Sequence, residues 1–167
     1  MAGAGHNWPV TYREPSAMSR KQILDGTRSI AVVGASSNPS RSSNFVMTYL
    51  ASSGCNFDLY PVNPRETEIN GFPCYPSLEA LPVVPDMVDV FRNPADCPAI
   101  AAEAVAVGAT TLWLQLGIVS DEAADIALAA NLQVVMDRCT KIEHARFAGG
   151  RHLAGFDTGV ISARRAS

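Results

Sequence analysis

The chain has 167 residues, of which 47% are hydrophobic and 17% charged, with a formal net charge of −3. That is enough apolar chain for one domain with a full core, which excludes a disordered segment, and the acidic balance argues against nucleic acid as a main partner. No stretch reaches the roughly 20 apolar residues of a membrane span and the amino terminus carries no signal-peptide pattern, so neither a membrane partner nor secretion is expected.

In chain order, residues 1–28 read as an amino-terminal arm, broken by Pro9 and Pro15, with a short helix from Ser19 to Leu24. Ile30–Val33 is wholly apolar, as in a strand covered on both faces. It runs into the small polar turn Gly34-Ala35-Ser36-Ser37. A helix is predicted from Ser43 to Ser52, with Val46, Tyr49 and Leu50 on one face and Gly54 as its stop. Phe57–Val62 reads as the second strand, closed by Asn63-Pro64. Gly71–Tyr75 is a short extended link, and Ser77 caps a brief helix. Met87–Phe91 is the third strand. Pro94–Val107 is an alanine-rich helix with Gly108 just past its end. Thr110–Leu116 is the fourth strand. Ser120-Asp121-Glu122 opens the next helix with acidic residues at its positive end. Gln133–Met136 is the fifth strand, ending at Asp137-Arg138-Cys139. The predicted domain is 29–146, and 147–167, rich in Gly and Arg, is read as a carboxyl-terminal tail.

This alternation implies an α/β, Rossmann-like, doubly wound fold. The expected sheet is parallel and five-stranded, in the order 3-2-1-4-5, with helices on both faces. Ligands of such sheets bind beyond the carboxyl ends of the strands, so the residues just after each strand are the candidates.

After the first strand, Gly34 permits a tight turn, while Ala35 and Ser36 are small enough to let a diphosphate approach the backbone. Ser37 adds a hydroxyl, and Arg41 can reach a phosphate with a charge-assisted bond. The dinucleotide fingerprint wants glycines where Ser36 and Pro39 stand. After the second strand come Val62, Asn63 and Pro64. The acid that would hold a ribose in an NAD site is missing there; Arg65 suits NADP better. Phe91 and Arg92 after the third strand offer a ring beside a cation. Gln115 can pair with an amide, and Gly117 lets a ligand come close to the backbone. The four cysteines, Cys55, Cys74, Cys97 and Cys139, form no C-x-x-C pair, so zinc and thioredoxin chemistry lack support and no metal is expected. Free thiols and a cytoplasmic location follow as expectations. Cys139 and His144 have a spacing compatible with a nucleophile and base, or with a structural role.

Several segments resemble stand-alone CoA-binding proteins. They are Val32-Val33-Gly34-Ala35-Ser36, Tyr60-Pro61-Val62-Asn63-Pro64 and Cys74-Tyr75-Pro76-Ser77-Leu78. Val88-Asp89-Val90-Phe91-Arg92, Leu112-Trp113-Leu114-Gln115-Leu116-Gly117 and Val134-Val135-Met136-Asp137-Arg138-Cys139 follow in the same order. The similar domain opens the succinyl-CoA synthetase α subunit. The resemblance implies coenzyme A as ligand, with Gly34, Ala35, Ser36 and Arg41 at phosphate. It implies Asn63, Pro64, Phe91 and Arg92 at the adenosine end, and Gln115 and Gly117 along the pantetheine arm. Synthetase activity is not implied, because it needs a ligase domain and an active-site histidine.

The leading expectation is a non-catalytic carrier, sensor or accessory module for CoA or acyl-CoA. The alternatives are an NADP-dependent oxidoreductase on the same fold and a thiol-based redox regulator acting through Cys139. The apolar helices could support a homodimer.

Overall fold

The computed structural model describes residues 12–156 apart from Ser53. The arm before Tyr12 and the tail after Phe156 lie outside the described residues. Helix α1 is Ala17–Asp25, strand β1 Ser29–Val33, helix α2 Ser42–Leu50 and strand β2 Asp58–Val62. Two short strands follow, β3 Glu68–Ile69 and β4 Phe72–Pro73. Then come β5 Met87–Val90, a single 3-10 turn Pro94–Asp96, α3 Cys97–Val107, β6 Thr111–Leu114, α4 Asp121–Ala129, β7 Gln133–Val135 and α5 Thr140–Phe156.

The five long strands form one parallel sheet in the order β2-β1-β5-β6-β7. The α/β, Rossmann-like class is as expected. The order is not: counting these five strands along the chain it is 2-1-3-4-5, against the 3-2-1-4-5 predicted. The reason lies in the strands themselves. β5 is buried at every position, so it belongs inside the sheet. β2 begins at exposed Asp58 and contains Pro61, which has no N–H for a ladder and suits an edge. On that open side the Pro61 carbonyl accepts from Tyr75 N at 3.0 Å and Asn63 N donates to Tyr75 O at 2.9 Å, so the β4 segment covers the edge.

Strand residues alternate between two cores. Ala31, Val33, Val88, Val90, Leu112 and Leu114 face the alanines of α3 and α4, among them Ala101, Ala104, Ala123 and Ala127. Small side chains there let helix and sheet approach closely. Ile30, Val32, Met87, Trp113 and Val135 face the other way, with Val46, Met47 and Leu50 of α2. Each large apolar side chain buried this way stabilises the fold by about 1.5–3 kcal/mol. Among the described residues no helix is long and apolar enough to cross a membrane.

The segment read as an arm carries α1, capped by Ser16 Oγ accepting from Ser19 N. Its Ile23 and Leu24 lie in the second core. Arg20 Nε donates to Glu143 Oε1 at 2.6 Å, an ion pair in which both side chains are buried. Arg146 and Arg138 stand near the other carboxylate oxygen of Glu143, at 3.3 and 3.6 Å, and Glu14 pairs with Arg138. Residues 147–156, expected to begin an irregular tail, continue α5. Thr140-x-x-Glu143 is a helix-start pattern in the sequence, but in the structure both side chains make tertiary contacts instead.

Thr140 is fully buried beneath the sheet's carboxyl edge, with Asp89 of β5 and Gln115 after β6. Gln115 Nε2 donates to Asp89 Oδ1 at 2.6 Å and to Thr140 Oγ1 at 2.8 Å, and Thr140 Oγ1 donates to Asp89 Oδ2 at 3.0 Å. Burial pushes the Asp89 carboxyl up to about 7, against the opposing pull of its bonds to Gln115 and Thr140. Because this value lies above that of the unfolded chain, the unfolded chain releases the proton first as pH rises. The stability this group contributes is full below about pH 4 and is lost as pH climbs through about 7. Asp89→Asn, which copies the neutral acid, should flatten this dependence. Wild type should lose on the order of 4 kcal/mol more than the variant between about pH 4 and pH 8. Denaturant unfolding of both proteins across that range measures it, and parallel curves would show that Asp89 does not titrate there.

Candidate functional site

At the carboxyl ends of β1, β2 and β5 the structure opens a cavity of about 600 Å³. Of the predicted residues, Gly34, Ala35, Ser36, Arg41, Asn63, Pro64, Phe91 and Arg92 line it. A neighbouring cavity of about 320 Å³ shares Gly34, Asn63, Pro64 and Arg92 and adds the apolar Val33, Val62 and Ile100. Three separate loops, far apart in sequence, thus meet around one space.

Their meeting follows from local bonds. Gly34 has φ +88°, a backbone conformation that suits glycine. Its N–H donates to Val62 O at 3.1 Å, while Phe91 N donates to Val33 O at 2.8 Å, so the turn is wedged between β2 and β5. A side-chain carbon on Gly34 would lie 3.0 Å from both Arg92 Cδ and the Phe91 carbonyl oxygen. Asn63 Nδ2 donates to Ala35 O at 2.8 Å, and Asn63 Oδ1 accepts from Arg65 N at 2.8 Å. One side chain therefore joins the β1–α2 turn to the loop after β2. Asn44 Nδ2 adds a bond to Ser36 O at 2.9 Å.

The lining is cationic and rich in donors. Arg41, Arg65 and Arg92 all contribute to it. Arg92 is paired with Asp96 at 2.9 Å; Arg41 and Arg65 make no ion pair among the described residues. α2 starts at Ser42 with no side-chain cap from Arg41. Ser42 and Ser43 line the cavity, and the first amides of a helix have no acceptor within it. A helix N-terminus, small residues and guanidiniums around one cavity are the groups that suit an anion. Ser42 and Ser43 were not singled out in the sequence, although their place at the start of a helix after a phosphate-type turn was the available signal.

Phe91 is half-buried against the second core and also walls the cavity, so one ring serves both purposes. Ser37 lies just outside the lining; its N–H donates to Glu66 Oε2 at 3.1 Å. Gln115 and Gly117, expected along a ligand arm, line neither cavity. Gln115 is turned inward, buried, with its amide nitrogen committed to Asp89 and Thr140. Gly117 N donates to Asp137 Oδ1 at 2.7 Å, which ties the β6 and β7 ends together.

All four cysteines are free. Burial pushes the Cys97 thiol up to about 11 and raises that of Cys74, so neither is poised as a thiolate. His144 Nδ1 lies 2.9 Å from Tyr49 Oη and 3.9 Å from Cys55 Sγ. Burial pushes the Tyr49 phenol up to about 12, so it keeps its proton, and the imidazole tautomer sets which of the two groups donates. The histidine weighed as a partner for Cys139 is thus held by Tyr49 and Cys55, and Cys139 packs against the second core.

Residues 28–145 match the model of a family described as CoA binding domain. The uncharacterized protein YneT of Bacillus subtilis (strain 168) is 35% identical over 133 residues, covering 80% of this chain and 97% of that protein. A hypothetical protein from Pyrococcus horikoshii OT3 has a similar structure, with a TM-score of 0.78 and 35% identity over 83% of this chain and 98% of that one. The dinucleotide-forming acetyl-coenzyme A synthetase 1 of Ca. Korarchaeum cryptofilum, in its apo form, is 25% identical with a TM-score of 0.57. There the match takes in 65% of this chain but 26% of the synthetase. With its anion-suited cavity inside the matched span, the chain belongs to the CoA binding domain family.

Proposed function

We propose that the protein binds coenzyme A or an acyl-CoA in the cavity after β1, β2 and β5, and acts as a carrier or sensor rather than a catalyst. The observation that carries this reading is the convergence of Arg41, Arg65 and Arg92 on the Gly34-Ala35-Ser36 turn at the start of α2. Phosphates need that combination of charge and close backbone approach. The adjoining cavity, with Val33, Val62 and Ile100, suits a flat or apolar part of the same ligand. The larger cavity is lined by amides, hydroxyls and guanidiniums, groups that hold anions and exchange no protons near neutral pH. This supports binding without chemistry.

NADP on the same fold is the second reading, favoured by Arg65 on the cavity wall. Calorimetric titration with CoA and with NADPH decides between them. CoA should bind and NADPH should bind far more weakly; tight NADPH binding without CoA binding would reverse the assignment.

Arg41→Ala should weaken CoA by about 1.5–3 kcal/mol, the range for a hydrogen bond to a charged group. Unchanged affinity in a folded variant removes Arg41 from the site. Gly34→Ala should cost about 1–3 kcal/mol of stability, because the turn would be strained and Arg92 and Phe91 crowded. It should also weaken CoA, since Arg92 must move. Melting curves and titration of the same sample test both effects, and a variant matching wild type in each would show that the turn is not so constrained.

A further inference from the structure

The β1–α2 turn has one partner unlike the others. Three of its amides are satisfied by neutral oxygens of the turn itself. Asn38 N donates to Ser36 Oγ at 3.1 Å, Ser40 N to Asn38 Oδ1 at 3.0 Å, and Arg41 N to Asn38 O at 3.0 Å. Ser37 N instead donates to the carboxylate of Glu66, which comes from the loop after β2. Both partners stand next in sequence to cavity-lining residues, Ser36 and Arg65. A carboxylate of the protein therefore already sits beside the residues that line the cavity, on a backbone donor of the same turn.

We infer that Glu66 is an affinity-setting residue: a displaceable internal anion that competes with the phosphate of the ligand and so holds the affinity of the site down. This rests on the proposed binding of CoA. Two physical effects act in the same direction. The Ser37 amide is unavailable to the ligand while Glu66 holds it. The carboxylate also repels phosphate charge and draws on the same field that Arg41 and Arg65 supply. The bond spans the two loops that Asn63 joins deeper in the site, so its release loosens the rim and leaves the inner link intact.

The test is calorimetric titration of the full chain with CoA, for wild type and Glu66→Gln, at low and high salt. The glutamine keeps an oxygen for Ser37 N and removes the charge, so the melting temperature should hold. CoA should bind the variant roughly three- to tenfold more tightly at low salt, and the gain should shrink at high salt, as screening requires. Equal or weaker binding by the variant overturns the role of Glu66 while leaving CoA binding in place. A gain that high salt does not reduce overturns its electrostatic basis. Failure of wild type to bind CoA at all overturns both this inference and the function on which it rests.

Discussion

A parallel sheet covered on both faces is accessible only at its ends, and at the carboxyl end the side chain of Asn63 decides the shape of what is exposed. Its amide nitrogen reaches the Ala35 carbonyl and its oxygen holds the Arg65 amide. The first bond ties the loop after β2 to the β1–α2 turn, beside the bond from Gly34 N to Val62 O, and the second shapes the loop itself. Arg65 and Pro64 on one side and the start of α2 on the other are thereby brought to the same cavity. The third wall, Phe91-Arg92, is fixed separately, by the ladder bond from Phe91 N to Val33 O and by the absence of a side chain on Gly34. The site is thus built on backbone geometry, with the guanidiniums added at its margins.

The division between the two ends of the sheet's carboxyl edge is equally physical. At β1, β2 and β5 the loops leave space and carry Arg41 and Arg65, which make no ion pair among the described residues, and Arg92, which is paired with Asp96. At β6 and β7 the same edge is closed by internal bonds: Gln115 into Asp89 and Thr140, Gly117 onto Asp137, and Trp113 Nε1 onto Arg138 O at 2.7 Å. One half of the edge is open and lined by polar groups, while the other is closed by bonds that hold α5 in place.

Much of this was legible in the sequence because it depends on neighbours in the chain. Wholly apolar runs marked the strands, and the small residues after Val33 marked the phosphate-type turn. Asn63, Pro64, Phe91 and Arg92 were found simply by standing at strand ends. What escaped depends on partners far away. Gln115 stands at a strand end too, but whether an amide faces a ligand or a buried carboxyl is decided by Asp89 and Thr140, which only the fold brings together. Arg20 and Glu143 are a similar case, lying at opposite ends of the domain. The order 3-2-1-4-5 put the second strand inside the sheet, against the signal of Pro61, a poor interior residue; the structure puts β2 at the edge.

The ion pair between α1 and α5 bears on where the independently folding unit begins. The family match starts at residue 28, after α1 has ended. A fragment cut there would keep every strand and every cavity residue. It would also leave Glu143 in the interior without Arg20, and would uncover the apolar surface that Ile23 and Leu24 occupy. Glu143 would keep Arg138 and Arg146 near its other oxygen, so the larger loss is the apolar contact of Ile23 and Leu24, each worth about 1.5–3 kcal/mol when fully buried. The boundary drawn by similarity and the boundary drawn by folding energy are therefore different, and the second includes α1.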